Sequence, residues 1–287
     1  MLDSKDVKEE WDLVVKPRVN PFTINFREVW AYKDLIMLLV KRDFVTVYKQ
    51  TLLGPFWIIA QPLVTTIMFT ITFSNIANLK TQGIPAFLYY LTGLTFWNYF
   101  ADNINKNANT FALNASIFGK VYFPRLVMPF SMMISSLFKL GIQVLILLVV
   151  WSYFILNQVA IFDFHPKAFI LFPFIIIVLG VMGSSIGLIV TSLTTKYRDF
   201  NFLIGYMVQF LMYLSCVVLA LPAKGFARDL LMFNPVVPLI EYIKYMFLGI
   251  GNVSFYHIIY SCVFTTLLFL LSIIVFNKTE KTFMDTV

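Results

Sequence analysis

Six long apolar stretches, spread along the chain from residue 54 to residue 276, constrain its fold more than any other feature. Each could cross a bilayer, because a membrane-spanning helix needs about 20 predominantly apolar residues. We therefore predict an all-α integral membrane protein with six transmembrane helices, an N-terminal amphipathic interfacial helix, and an outer re-entrant helical hairpin between the fifth and sixth spans. The predicted spans are 55–77, 85–105, 129–153, 168–193, 201–221 and 255–276.

The composition indicates that this chain is solvated by lipid. Of its 287 residues, 59% are hydrophobic and 13% are charged, and the mean hydropathy is +0.80. Soluble domains are about 25% charged, and a soluble core of this size could not bury so much apolar surface. Cys216 and Cys262 lie inside apolar stretches, so we expect no disulfide. The charged N-terminus does not resemble a signal peptide.

The basic residues predict the orientation of the chain. The segments on the side of the N-terminus hold 16 lysines and arginines, and those on the opposite side hold five. Because cytoplasmic loops carry the excess of positive charge, both termini are expected in the cytoplasm. The predicted organisation is a polar cytoplasmic N-terminus over 1–25, an interfacial helix over 26–53, a six-span domain over 54–276, and a cytoplasmic tail over 277–287.

Two segments fit neither a span nor a free loop. In residues 26–50, Ile36, Val40, Phe44 and Val47 recur at helical spacing among lysines, which predicts an interfacial helix; a simple basic anchor on anionic lipid is the alternative. Residues 222–251 are too broken by proline and polar residues to cross, yet too apolar to stay in water. A re-entrant pair of short helices fits both facts.

Two spans carry polar and aromatic stripes along one helical face. Amides, hydroxyls and flat rings suit a sugar chain, because rings stack on sugar C–H faces and amides meet hydroxyls. Packing between helices is the alternative, since threonine and glutamine also bond across helix interfaces. The stripes are Gln61, Thr65, Phe69 and Thr72 in the first span, and Phe202, Tyr206, Gln209 and Tyr213 in the fifth.

Charged and polar residues near the predicted cytoplasmic side leave other readings open. Lys139 lies within the third span, where it either meets an anionic phosphate or extends back to the headgroups. The loops 105–125 and 194–200 either dock on a cytoplasmic motor or form solvated turns. The sequence has no phosphate-binding loop, no H-E-x-x-H and no G-x-S-x-G. We therefore expect that this chain has neither enzymatic activity nor a metal site.

Several motifs follow one another along the chain. The first is the run from Arg42 through Tyr48-Lys49-Gln50 to Trp57, closing with Gln61-Pro62. This run resembles the start of the ABC-2 type permeases that export polysaccharides such as O-antigen, capsule and teichoic acid. Further landmarks follow in the same order over roughly residues 26–276. They are Lys120-Val121-Tyr122-Phe123-Pro124-Arg125, Tyr197-Arg198-Asp199, and Asn234-Pro235 with Glu241. The family often has arginine where this chain has Val47, which removes one basic contact.

The resemblance implies a homodimer of six-span subunits with two copies of a separate ABC ATPase, which binds ATP and Mg, so this chain needs no cofactor of its own. It implies that the first and fifth spans line a channel for a polyprenyl-linked glycan, with no role for nucleic acid. It places the protein in the cytoplasmic membrane of a bacterium. The residues implied to contact the ATPase are Leu53, Gly54, Asn107, Asn109, Asn114 and Lys120; those implied to cap the outer side are Asn234, Pro235 and Glu241.

The hypothesis from sequence is therefore the permease subunit of an ATP-driven exporter of a lipid-linked polysaccharide. An ABC-2 exporter of a drug or small lipid is the nearest alternative. A polytopic membrane transferase would need acidic or histidine residues gathered at one membrane face, and a secondary transporter would need intramembrane acids and an internal repeat.

Overall fold

The computed structural model describes residues 26–49, 54–111, 114, 117, 123–157, 166–194, 197, 199–251 and 253–284. Within these ranges the chain is helical and contains no strand, as the fold class predicts. Ten α-helices are defined there: α1 (Phe26–Ala31), α2 (Lys33–Tyr48), α3 (Trp57–Phe69), α4 (Ala86–Ala108), α5 (Val127–Leu156), α6 (Phe172–Thr194), α7 (Phe200–Leu214), α8 (Phe226–Met232), α9 (Val236–Leu248) and α10 (Phe255–Met284).

Four described helical stretches are long and apolar enough to cross a membrane: Trp57–Ile76, Val127–Leu156, Ala168–Thr194 and Phe255–Thr279. The second predicted span corresponds to α4, which has 23 residues but carries tyrosines, asparagines and an aspartate along its length. The fifth corresponds to α7, which has only 15 residues. The chain is thus a multi-pass membrane protein with four clear spans in its described part.

The predicted end of the fifth span, residue 221, is wrong. The helix α7 ends at Leu214, because the chain turns at Ser215 and Cys216, where the φ angle of Cys216 is +54°. This left-handed backbone conformation is uncommon for a residue with a side chain, and it cannot continue a right-handed helix. Seven residues assigned to the span, Ser215 and six apolar residues, therefore belong to the turn that leads to residues 222–251. We call residues 222–251 the outer hairpin, after the side predicted for them from the sequence.

Glycines bring α4 and α6 unusually close together. A Cβ atom added at Gly183 would lie 2.8 Å from the Phe100 carbonyl oxygen, and one added at Gly187 would lie 2.6 Å from the Asn107 Cβ atom. Small residues permit this approach of helix backbones in lipid, where close packing drives association. The glycine face of α6 is therefore used inside the chain and is not a seam between subunits.

The helix α2 is attached to the protein along one side. Ile36, Leu39 and Val40 are buried in an apolar cluster that also contains Phe111 and Phe276. The opposite side exposes Met37, Leu38 and Lys41. Since α2 packs on the membrane helices, its position is set by protein contacts as well as by any lipid surface.

A π-helical segment, Thr70–Ile76, continues α3. The Ala77 amide donates to the Thr72 carbonyl at 3.0 Å, a bond that spans five residues instead of four. Such segments widen a helix and are frequent at functional sites. This segment carries Thr72 and Phe73 toward the end of α7.

Candidate functional site

The helix α7 presents three faces with different chemistry. Ile204, Val208 and Met212 are buried against the rest of the chain. A second face is exposed and wholly apolar: Leu203, Met207, Phe210 and Leu214. A third face is also exposed and carries the predicted stripe: Phe202, Tyr206, Gln209 and Tyr213.

Most of the stripe on α7 is exposed and not packed against other helices of the chain. Phe202 and Tyr206 expose 78% and 76% of their surface, and Tyr213 exposes 36%. The adjacent apolar face has the composition that lipid tails accept. A face that offers an amide and phenol hydroxyls is instead suited to a wet surface, because each unsatisfied polar group in hydrocarbon costs several kcal/mol.

The stripe of the first span is partly exposed. Gln61 and Thr72 are exposed, whereas Thr65 and Phe69 are half-buried. The Thr65 hydroxyl donates to the Gln61 carbonyl at 2.9 Å, so this threonine is satisfied within its own helix. The structure therefore leaves Gln61 and Thr72 accessible, with Phe69 at the edge of the packed surface.

An aromatic cluster joins the two stripes where α7 ends. The ring of Phe73, in the π-helical segment, lies 6.4 Å from the ring of Tyr213, measured between centroids. Phe73 also lies 5.2 Å from Phe69 and 6.4 Å from Tyr90 of α4. The stripes thus converge at this end of the molecule, with Tyr213 at the exposed edge of the cluster.

Asn234 connects the outer hairpin to the end of α7. Its side-chain amide donates to the Ser215 hydroxyl at 3.0 Å and to the Leu214 carbonyl at 3.4 Å. Its side-chain oxygen accepts from the backbone N–H of Val236 at 3.0 Å, which satisfies a donor in the first turn of α9. The asparagine therefore begins one helix while it holds the last turn of another.

Of the other two predicted cap residues, one contacts another helix and one bonds within α9. The Pro235 carbonyl accepts from the Ser261 hydroxyl of α10 at 2.7 Å. Glu241 is buried and accepts from Lys244 through Oε1 at 3.1 Å. Asn234 and Pro235 thus connect the outer hairpin to α7 and α10, whereas the Glu241 bond lies within α9. The sequence did not indicate that Lys244 is buried beside Glu241.

The predicted ATPase-contacting residues have different environments. Asn107 is fully buried and donates to the Ser184 hydroxyl of α6 at 3.3 Å, so its side chain is not on a surface that a second protein meets. Asn109 bonds to the Asn105 carbonyl, and Gly54 has a φ angle of +50°, which glycine adopts readily. Leu53 and Lys120 lie outside the described residues.

Asn114 ties the 105–125 loop to α2. Its side-chain oxygen accepts from Nη2 of Arg42 at 3.2 Å. Arg42 also donates to Asp43, at 2.9 Å from Nη2 and 3.2 Å from Nε, and the Ser135 hydroxyl of α5 reaches Asp43 at 3.4 Å. The helices α2 and α5 and residue 114 therefore meet in one polar contact.

Lys139 has a partner that the sequence did not reveal. Its Nζ lies 2.8 Å from Oδ2 of Asp102 on α4. Neither of the two proposed roles, a phosphate contact or extension to the headgroups, accounts for this ion pair. Among the described residues, no group of three or more histidine, cysteine or acidic side chains could hold a metal ion.

Comparison with known proteins identifies one family and several similar membrane proteins. The family described as ABC-2 type transporter matches residues 34–248. The O-antigen export system permease protein RfbA of Klebsiella pneumoniae is 25% identical over 258 residues, which cover 88% of this chain and 94% of the relative. The protein of the same name from Myxococcus xanthus is 21% identical over 216 residues, covering 74% of this chain and 80% of the relative.

Proposed function

Since this chain belongs to the ABC-2 type transporter family, we propose that it is the permease subunit of an ATP-driven exporter that moves a lipid-linked polysaccharide across the cytoplasmic membrane. The polysaccharide is of the O-antigen, capsule or teichoic acid class. The names of the similar permeases from Klebsiella pneumoniae and Myxococcus xanthus support O-antigen first.

The observation that carries the proposal is the pair of exposed faces on α7. One face, with Leu203, Met207 and Phe210, fits lipid tails; the other, with Tyr206 and Gln209, fits a hydrated chain of sugars. Tyrosine rings stack on the apolar faces of sugars, and the amide of glutamine bonds to their hydroxyls. Together with Gln61 and Thr72 of the first span, these residues form the proposed lining.

The proposed assembly is a homodimer with two copies of a cytoplasmic ABC ATPase. Two copies supply the second wall of the route, because the stripes are exposed on the surface of one chain. The segment around Gly54, the 105–120 loop and α2 face the ATPase, and the contact between Arg42 and Asn114 joins two of these elements. ATP and Mg bind to the ATPase, whose movement shifts the channel from closed to open.

The proposed membrane arrangement has six crossings with both termini in the cytoplasm. In it, α4 and α7 add to the four clear spans, with α4 crossing among other helices because of its polar side chains. The outer hairpin, α8 and α9, re-enters from the far side and caps the route. Its backbone at that depth is satisfied by contacts such as the bond from the Val236 N–H to the Asn234 side chain and the bond from the Ser261 hydroxyl to the Pro235 carbonyl.

The test is reconstitution of the purified chain in vesicles, alone and with its ATPase. We expect no ATP hydrolysis by the chain alone, and ATP-dependent passage of a polyprenyl-linked glycan when the ATPase is present. A matched complex with a hydrolysis-deficient ATPase is the control. Hydrolysis by the chain alone, or transport of a drug or small lipid but not of the glycan, would contradict the proposal.

A further inference from the structure

Lys244 of α9 is almost completely buried, with only 1% of its surface exposed, and it is partnered on every side. An ammonium group has three hydrogens to donate. Lys244 donates to the Tyr89 hydroxyl at 2.8 Å, to Oε1 of Glu241 at 3.1 Å, and to the backbone carbonyl of Cys216. The Tyr89 ring centroid lies 4.3 Å from its Nζ atom, which adds a cation–π contact.

The three acceptors belong to three different parts of the chain. Tyr89 lies in the first turn of α4, Cys216 lies in the turn after α7, and Glu241 lies with Lys244 on α9. We call this set of four residues the Lys244 clamp. It gathers the end of α7, the beginning of α4 and the second helix of the outer hairpin around one charge.

The clamp acts on the end of α7 in a way that apolar packing does not. The last carbonyls of a helix lack partners within the helix, and a cation there is favourable. The turn at Cys216 aims its carbonyl at Lys244, while Asn234 holds the Leu214 carbonyl and the Ser215 hydroxyl. Directed bonds of this kind fix relative position, whereas apolar surfaces can slide.

We propose that Lys244 is a positioning residue of the transporter: it fixes the outer hairpin to the end of α7, so that the two move as one unit. Tyr213 lies just before the turn and is carried with that unit, along with its ring contact to Phe73. The inference adds a residue to the proposed function and relies on it only for the export measurement.

The thiol of Cys216 reports directly on the clamp. Cys216 is fully buried, and the chain has two cysteines, so Cys262→Ser leaves it as the only one. In membranes carrying this variant, the rate of labelling by N-ethylmaleimide is measured with and without Lys244→Met. We expect labelling to be faster by roughly tenfold, because the loosened turn opens locally. Lys224→Met, at an exposed lysine of the same hairpin, is the matched control and should leave the rate unchanged.

A second variant covers the case in which Lys244→Met fails to fold. Removal of one member of a buried ion pair leaves the other charge without a partner, whereas removal of both does not. The double variant Glu241→Gln/Lys244→Met is therefore expected to fold and to show the same increase in labelling. Protection of Cys216 at the wild-type level in either folded variant would overturn the proposal.

A disulfide between the end of α7 and the outer hairpin tests whether the role of Lys244 is to hold these two elements in position. Ser215→Cys and Asn234→Cys replace two side chains that meet at 3.0 Å, in a background with Cys216→Ala and Cys262→Ser. With the disulfide formed, export by the Lys244→Met chain should recover, and reduction should abolish the recovery. The reference is the same disulfide-bonded chain with Lys244 intact, because Asn234 is itself a predicted cap residue. Export by the Lys244→Met chain that stays well below this reference would overturn the positioning role. If the unaltered complex exports no glycan, the proposed function is wrong. The labelling rate of Cys216 still tests the Lys244 clamp in that case.

Discussion

Lys139 and Asp102 form an ion pair between α5 and α4, with 2.8 Å between Nζ and Oδ2. The two side chains are 21% and 27% exposed, so water or headgroups screen the pair only in part. A lone charge at the centre of a bilayer costs about 2.5–3.5 kcal/mol on insertion scales. Pairing reduces this cost for both residues, which explains how each can lie in an apolar helix bundle.

The ion pair predicts that substitution of both residues lowers stability by less than the sum of the two single substitutions. Lys139→Met or Asp102→Asn alone should lower the stability of the protein by about 1–3 kcal/mol, since each leaves its partner's charge unpaired. The double variant should regain much of this loss. Thermal unfolding in detergent measures the effect, and strictly additive losses in the double-mutant cycle would show that the pair does not contribute.

The contact between Arg42 and Asn114 predicts a loss of coupling. Asn114→Ala should reduce export by roughly three- to tenfold while ATP hydrolysis by the partner persists, because a charge-assisted bond worth about 1 kcal/mol joins α2 to the loop. Both rates are measured in reconstituted vesicles. Asn157→Ala, which removes an exposed asparagine at the C-terminal end of α5, is the control. An equal fall in export and hydrolysis would argue against a role in coupling.

The glycine contact between α6 and α4 predicts a packing defect. Gly187→Ala should destabilise the protein by about 1–3 kcal/mol, because the added Cβ would lie 2.7 Å from the Ile104 carbonyl oxygen and backbone cannot move aside cheaply. Gly141→Ala on α5 meets no atom within 4 Å and should be close to neutral. The measurement is the midpoint temperature of thermal unfolding for each variant. Equal midpoints for Gly187→Ala and Gly141→Ala would contradict the prediction.

The two exposed faces of α7 predict separable effects on transport. Tyr206→Ala or Gln209→Ala should reduce glycan export by up to roughly tenfold without loss of folded protein, since an aromatic contact or an amide hydrogen bond is worth about 0.5–1.5 kcal/mol. Met207→Ala, on the apolar exposed face, should leave export near normal. The measurement is surface glycan per cell at matched protein level. Normal export by both stripe variants would remove the stripe from the lining.

The sequence predicted the elements that depend on local apolar content. The helix α5 extends two or three residues beyond each end of the apolar stretch 129–153, and α10 begins with the stretch 255–276, because lipid imposes both length and composition on a span. The end of α10 was not predicted, since the helix continues to Met284, eight residues past that stretch. The pair of short helices in the outer hairpin was also predicted, since proline and polar residues interrupt the apolar run there.

The sequence could not predict features that depend on which helices become neighbours. Lys139 and Asp102 are 37 positions apart, and nothing in either apolar stretch indicates that the two face each other. Asn107 was placed with residues that contact the ATPase, yet it is buried because glycines of α6 let that helix approach α4 closely. The turn at Cys216 is stabilised by Lys244, which follows 28 residues later.

The three faces of α7 assign packing within the subunit and contact with the proposed cargo to different residues. Under the proposed function, substitutions at Phe202, Tyr206, Gln209 and Tyr213 alter the preference for cargo, whereas the buried face sets the fit to the subunit. Related exporters can therefore diverge in the sugars they carry without redesign of their scaffold. When two such transporters accept different glycans, we expect the difference to lie first at the four positions of this stripe.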